Sequence, residues 1–304
     1  MIGDRGFVER LITEWRRSRR MRDIVGAGFS NIRGDCRNWS CRSLAGSVYS
    51  PFTLNPIWNQ EIMFGEIRNS QGEKIDYTYH EGDVDSKNIV VIGHGVTGNK
   101  DRPFVVALGE ALGAAGVNAL RFSFTGNGDS EGRFQDCTIS KETADLGAVL
   151  DALEGRNVCY AGHSMGGAVG VKRAASDDRI KQLISLAGMV DTAKFAQTEF
   201  GEETPDEGCM WEEKSCPLSS AFMNDMAEIG TVVELGAEIS VPWLLIHGTE
   251  DDVVLIQDSH DIFAKANEPK ELCVIEGCSH VFSEAAHAQA MIEKVVAWVK
   301  AQIA

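Results

Sequence analysis

The 304-residue chain contains no run of eighteen apolar residues and no apolar stretch at its start. It therefore offers neither a membrane span nor a secretory leader, and a cytoplasmic protein is expected. Its eight cysteines, at 36, 41, 137, 159, 209, 216, 273 and 278, include no C-x-x-C pair. That spacing argues against a zinc site or a redox pair, and a chain of this length needs no disulfide staples, so reduced structural thiols are expected. Positive charge is also scarce, with 29 Lys and Arg against 45 Asp and Glu for a net of −16. A surface of that sign repels phosphate backbones, which excludes nucleic acid as the expected partner. Internal repeats and low-complexity tracts are absent. What is present is 43% hydrophobic residues, enough for a substantial core.

The charge is unevenly spread. Residues 1–62 hold ten Arg, no Lys and six acids; residues 63–304 hold 19 basic and 39 acidic side chains. The first segment, with Arg16-Arg17-Ser18-Arg19-Arg20, keeps no helical or strand periodicity beyond about residue 25. It reads as an Arg-rich extension of unknown role, poorly ordered or an upstream start before Met63, with a docking or targeting arm as the functional alternative. Residues 63–304 read as the folded domain.

That domain opens with two alternating stretches, 61–69 and 74–81, around Ser70-Gln71-Gly72, which predict a β-hairpin. Asn88 to Gly93 (NIVVIG) is an unbroken apolar run, expected of a strand buried on both faces. Helical and strand patterns then alternate. Helices are predicted over 104–115, about 141–153, 166–175, 256–266 and 284–303, and strands over 117–124, 157–161, 180–187, 243–247 and 271–275. Such alternation predicts a mainly parallel sheet between helices, with the chemistry in loops beyond the strands' carboxyl ends. Residues 189–240 interrupt the rhythm and are expected to form a lid. Phe195, Phe200, Trp211, Phe222 and Met223 there either line an acyl or aryl pocket or simply pack the lid.

Gly162-His163-Ser164-Met165-Gly166 falls between a predicted strand and a predicted helix. A G-x-S-x-G arises by chance roughly 0.2 times in a chain of this composition, so the strand-turn-helix setting carries the weight. A sharp turn there leaves no room for side chains two residues either side of the serine, and it sets Ser164 at a helix N-terminus. A serine nucleophile needs a base, and the base needs an acid to hold its tautomer. Asp251 follows the 243–247 strand, and His280 follows the 271–275 strand. The order Ser, Asp, His suits this arrangement, with Asp252 as the alternative acid. The other six histidines lie in the predicted hairpin (His80), on predicted helices (His260, His287) or beside a glycine in a turn (His94, His163, His247). Two backbone N–H groups are expected to bind the oxyanion, one from Met165 and one from Val96, or alternatively Thr97, in the loop after NIVVIG.

HGVTGNKD (94–101), RFSFTGNGDSEG (121–132), GHSMGG (162–167), HGTEDDVV (247–254) and GCSH (277–280) together resemble the α/β-hydrolase superfamily over about residues 72–302. Within it the chain resembles cinnamoyl-type esterases and serine aminopeptidase-like hydrolases. The resemblance implies an α/β fold with a mainly parallel eight-stranded sheet, the triad Ser164, Asp251 and His280, and Val96 as oxyanion donor. The turn Gly126-Asn127-Gly128-Asp129-Ser130 matches a structural GxGxS-like element of many members. The expected activity is hydrolysis of a small-molecule carboxylic ester through an acyl-enzyme on Ser164, with no metal or organic cofactor. A peptidase, thioesterase or acyltransferase using the same triad is the alternative within the fold. A non-catalytic scaffold is the alternative from another class.

Overall fold

The structure, a computed structural model, describes residues 63–303; the Arg-rich extension 1–62, with Cys36 and Cys41, lies outside the described residues. The chain begins with a small ribbon, β1 (Ile67–Arg68) against β2 (Lys74–Ile75). It then forms β3 (Tyr77–His80) and β4 (Asn88–Gly93), helix α1 (Pro103–Ala114), β5 (Asn118–Phe122), α2 (Ile139–Ala152) and β6 (Asn157–His163). After these come α3 (Met165–Ala174), β7 (Ile180–Leu186), α4 (Thr192–Phe200), α5 (Ser220–Ile229), β8 (Trp243–Gly248), α6 (Ile256–Lys265), β9 (Lys270–Ile275) and α7 (Ala285–Ile303). Strands β3 to β9 make one sheet in the order β3-β5-β4-β6-β7-β8-β9, with only β3 antiparallel.

Two expectations are corrected. The hairpin over 61–69 and 74–81 is reduced to a two-residue ladder. Asp76 leaves it by donating its N–H to Ser130 Oγ and accepting Ser123 N–H, so Tyr77–His80 pairs with β5 instead of β1. As a result the main sheet has seven strands among the described residues, not eight, and the ribbon stands apart. The alternation of period 2 was real, but local pattern does not say which partner a strand takes.

Strand β4 explains the layering. Ile89 and Val91 face one core with Leu120, Phe122, Leu150, Tyr160 and Val169, on the side of α2 and α3. Val90 and Ile92 face the other, with Leu108, Leu112, Val295 and Val299 from α1 and α7. A strand covered on both faces has no polar side to show, which is why NIVVIG does not alternate. Six of the seven strands run parallel, so their carboxyl ends lie along one edge of the sheet. Residues 93–98, 163–165, 187–191, 249–254 and 276–280 follow β4, β6, β7, β8 and β9 there.

In the segment 189–240 the aromatic residues pack on one another. Phe200 meets Phe195, Trp211 and Phe222 at ring-centroid distances of 6.0, 4.9 and 5.9 Å, and all but Trp211 are buried. The packing alternative therefore holds for Phe195, Phe200 and Phe222. The segment is tied to the sheet at its start: Met189 N–H donates to Ser164 O, and the Val190 N–H donates to Asp258 on α6.

Candidate active site

Ser164 sits between β6 and α3 at φ 54°, ψ −120°, a backbone position that costs an L-residue about 1–3 kcal/mol and is kept only where its surroundings impose it. The surroundings are tight. A Cβ on Gly162 would lie 2.1 Å from Gly166 O, and one on Gly166 would lie 2.4 Å from His94 O. Only glycine lets the elbow close, and the serine is presented at the first turn of α3, where N–H groups lack helical acceptors.

His280 and Asp251 meet as their loops suggested. Asp251 Oδ2 lies 2.8 Å from His280 Nδ1, and Oδ1 accepts the N–H groups of Val253 and Val254 at 3.0 and 2.9 Å. Burial pushes the Asp251 carboxyl up. Hydrogen bonds from His247 and His280, and their charge, outweigh that and hold it well below the usual carboxylate range. An anionic Asp251 accepts from Nδ1–H, leaving Nε2 of His280 as the basic nitrogen. The alternative Asp252 is exposed on the same loop, and Asp251 is the one that bonds the imidazole.

The loop after β4 passes directly beside the serine: a Cβ on Gly95 would stand 2.6 Å from Ser164 Cβ and 3.1 Å from its Oγ. Gly98 N–H closes a turn onto Gly95 O at 2.9 Å, with Val96 and Thr97 at its centre and Thr97 at φ 57°. His94 holds this turn. Gly95 O only accepts and Phe124 N–H only donates, so the ring is the Nδ1–H tautomer, with Nδ1 2.9 Å from the first and Nε2 3.0 Å from the second. Burial lowers its pKa to about 4, which keeps that tautomer neutral. Met165, the other expected donor, is the first residue of α3.

Two further histidines join the site that strand-end position alone did not single out. His163 Nε2 lies 2.9 Å from His280 O, and the two rings lie 4.8 Å apart, tilted at 44°. His247, fully buried, stands 3.2 Å from Asp251 Oδ2. The signal available for both was a histidine beside a glycine at a strand's carboxyl end. Of the rest, His80 accepts from Arg121 Nε, His260 is exposed, and His287 lies 3.9 Å from Glu284. The Gly126–Ser130 turn is structural, as expected: Ser130 Oγ donates to Ser123 O and accepts Asp76 N–H. Cys137, Cys159, Cys209, Cys216, Cys273 and Cys278 are free thiols. Among the described residues no helix is long and apolar enough to cross a membrane.

The model of the prolyl oligopeptidase family matches residues 135–304, more than half of the chain and the part that carries Ser164, Asp251 and His280. The chain belongs to the prolyl oligopeptidase family. Like other structures of this fold, it shares the α/β-hydrolase architecture with Est1E from Butyrivibrio proteoclasticus, solved with ferulic acid bound. The two are 26% identical with a TM-score of 0.69, over 78% of this chain and 98% of that one. The mouse alpha/beta hydrolase domain-containing protein 10 has the same fold at 20% identity and a TM-score of 0.64, over 78% of this chain and 98% of that one. In sequence, this prolyl oligopeptidase family chain is similar to the human palmitoyl-protein thioesterase ABHD10, mitochondrial. Identity is 27% over 161 residues, which cover 49% of this chain and 52% of that protein. The chain thus spans about half the length of the curated relatives it matches.

Proposed function

We propose that the protein is a serine hydrolase that cleaves a small-molecule carboxylic ester through an acyl-enzyme on Ser164. The observation that carries the reading is the Asp251–His280 pair, 2.8 Å apart, on loops at the sheet edge where Ser164 is held at positive φ. In this reading His280 Nε2 takes the proton of Ser164 Oγ as the oxygen attacks the ester carbonyl. Asp251 holds the imidazole and stabilises its charged form. The N–H groups of Val96 and Met165 bind the oxyanion, each contributing about 3 kcal/mol to the transition state. His280 then returns the proton to the leaving alcohol, and water, activated by the same base, releases the acid. No step needs a metal or an organic cofactor. Residues 63–304 form the catalytic domain, and residues 189–240 cover the acyl group as a lid.

Thioester cleavage is the second reading, favoured by the 27% identity to a protein named as a palmitoyl-protein thioesterase. The family name keeps peptide bonds on the list of acyl donors. The decisive experiment is labelling with a fluorescent fluorophosphonate. Wild type should label, and Ser164→Ala and His280→Ala should not; labelling that survives Ser164→Ala would overturn the assignment. p-Nitrophenyl esters, aminoacyl amides and acyl thioesters then rank the acyl donors by kcat/KM.

A further inference from the structure

His247 stands 3.2 Å from Asp251, the proposed acid, and the proposed mechanism gives it no part. Its side chain is wholly buried at the end of β8. Nε2 lies 2.9 Å from Val254 O and 3.2 Å from Asp251 Oδ2, while Nδ1 lies 2.7 Å from Ser259 Oγ. A carbonyl oxygen only accepts, so Nε2 carries a hydrogen, which it donates to Val254 O with the carboxylate beside it. The Ser259 hydroxyl donates to Nδ1 of the neutral ring. Asp251 Oδ2 therefore accepts Nδ1–H of His280 and has the Nε2–H edge of His247 beside it at 3.2 Å, while Oδ1 takes two backbone N–H groups.

We propose that His247 is a positioning residue whose Nε2–H edge, set 3.2 Å from Asp251 Oδ2, fixes the carboxylate and limits how strongly it supports His280. The inference rests on the serine-hydrolase reading. Its logic is electrostatic: a buried N–H edge set against a carboxylate oxygen draws on the same negative charge that the His280 hydrogen bond uses. Removing the His247 donor leaves Oδ2 to His280 alone, which stabilises the imidazolium and makes His280 a stronger base. Other groups that bear on this pair are His163 beside His280, Cys278 beside Asp251, and Asp258 on α6, which faces His247 and is itself close to Asp191. None of these changes in the variants below.

The test uses the full chain and measures the saturable rate of fluorophosphonate labelling against pH. In His247→Phe, which keeps a ring but no donor, the maximal rate should fall about tenfold or more while half-saturation stays within about twofold. The midpoint of the acidic limb should move up by about half a unit or more. His247→Gln, whose amide can still donate, should restore the wild-type midpoint. A lower rate with an unmoved midpoint would reduce His247 to packing and overturn the proposal. An independent readout needs no variant. In wild type with ¹⁵N-labelled histidine, His247 should show a protonated Nε2 and an accepting Nδ1 at pH 8; the Nδ1–H tautomer would overturn it. Failure of wild type to label at all would refute the hydrolase reading, whereas labelling that needs Ser164 but ignores His247 refutes this inference alone.

Discussion

The imidazole of His163 donates from Nε2 to the backbone carbonyl of His280, at 2.9 Å, joining the residue before the proposed nucleophile to the residue proposed as base. The two are 117 positions apart in sequence. Burial, and then the nearby His280, lower the His163 pKa to about 3, so its ring is neutral wherever His280 acts as a base. The ring also lies 4.8 Å from that of Phe104 on α1, which holds it from the other side.

Replacing His163 by Ala cuts this tether and leaves a buried carbonyl unpaired, which costs about 1–3 kcal/mol of stability. Loop displacement of the base lowers kcat by about 10- to 100-fold, with KM changed much less, because the loss falls on orientation. Steady-state kinetics beside thermal denaturation separates the two effects. Equal loss in kcat and KM would argue that the substrate pocket, and not the base, depends on His163.

Asp251 and Asp252 are adjacent, and Asp251 Oδ2 lies 2.8 Å from His280 Nδ1. Asp251→Asn keeps the shape while an amide nitrogen or a weak carbonyl replaces the anion, so kcat should fall on the order of 10⁴-fold, as in serine proteases. Asp252→Asn, on an exposed side chain, should leave kcat within about twofold. The comparison tests the one-residue register that the sequence left open. An inactive Asp252→Asn with an active Asp251→Asn would reverse the assignment.

How far this site was legible follows from where its parts lie. Ser164, Asp251 and His280 each lie in a loop just after a strand, in a pattern readable within a dozen residues, and the structure brings the three loops to one edge. His94, His163 and His247 have the same local signature as any histidine beside a turn glycine. Their partners, Phe124 N–H, His280 O and Asp251 Oδ2, exist only after the strands are ordered side by side. The pairing of β3 with β5 was hidden for the same reason: alternation shows which face is buried, not which neighbour is chosen. The aromatic residues of 189–240 were ambiguous because packing and pocket lining use the same residue types.

Glu142 on α2 was not singled out by its sequence position, yet it is wholly buried, with Oε2 lacking a hydrogen-bond partner among the described residues. Burial, and then the neighbouring Asp145, push its carboxyl well above the ordinary glutamate value. An acid whose pKa is raised by folding adds stability in full below its unfolded value. That stability is lost as pH rises towards and through the folded value, because the native state must then ionise. Glu142→Gln removes this titration. Urea denaturation at pH 5 and pH 8 should therefore show the variant gaining on wild type as pH rises; a difference independent of pH would place the raised pKa in doubt.

Phe200 is the hub of the aromatic packing in 189–240, touching Phe195, Trp211 and Phe222 while almost wholly buried. Truncation to Ala should cost about 3–5 kcal/mol, the range for a buried phenylalanine whose cavity does not refill. Trp211 makes the effect readable where it occurs. Its indole Nε1–H donates to Glu199 at 2.7 Å, and its backbone stands at φ 50°, ψ 35°, so the half-exposed ring is held by Glu199 and Phe200 together. Without Phe200 the ring loses its apolar support, and its emission should shift to the red before the sheet unfolds, provided 189–240 loosens as a unit. Fluorophosphonate labelling in the same variant then decides whether that segment serves catalysis. Unchanged labelling with a lost preference for long acyl chains places residues 189–240 over the acyl group, whereas loss of labelling places them in support of Ser164, through Met189 N–H on the Ser164 carbonyl.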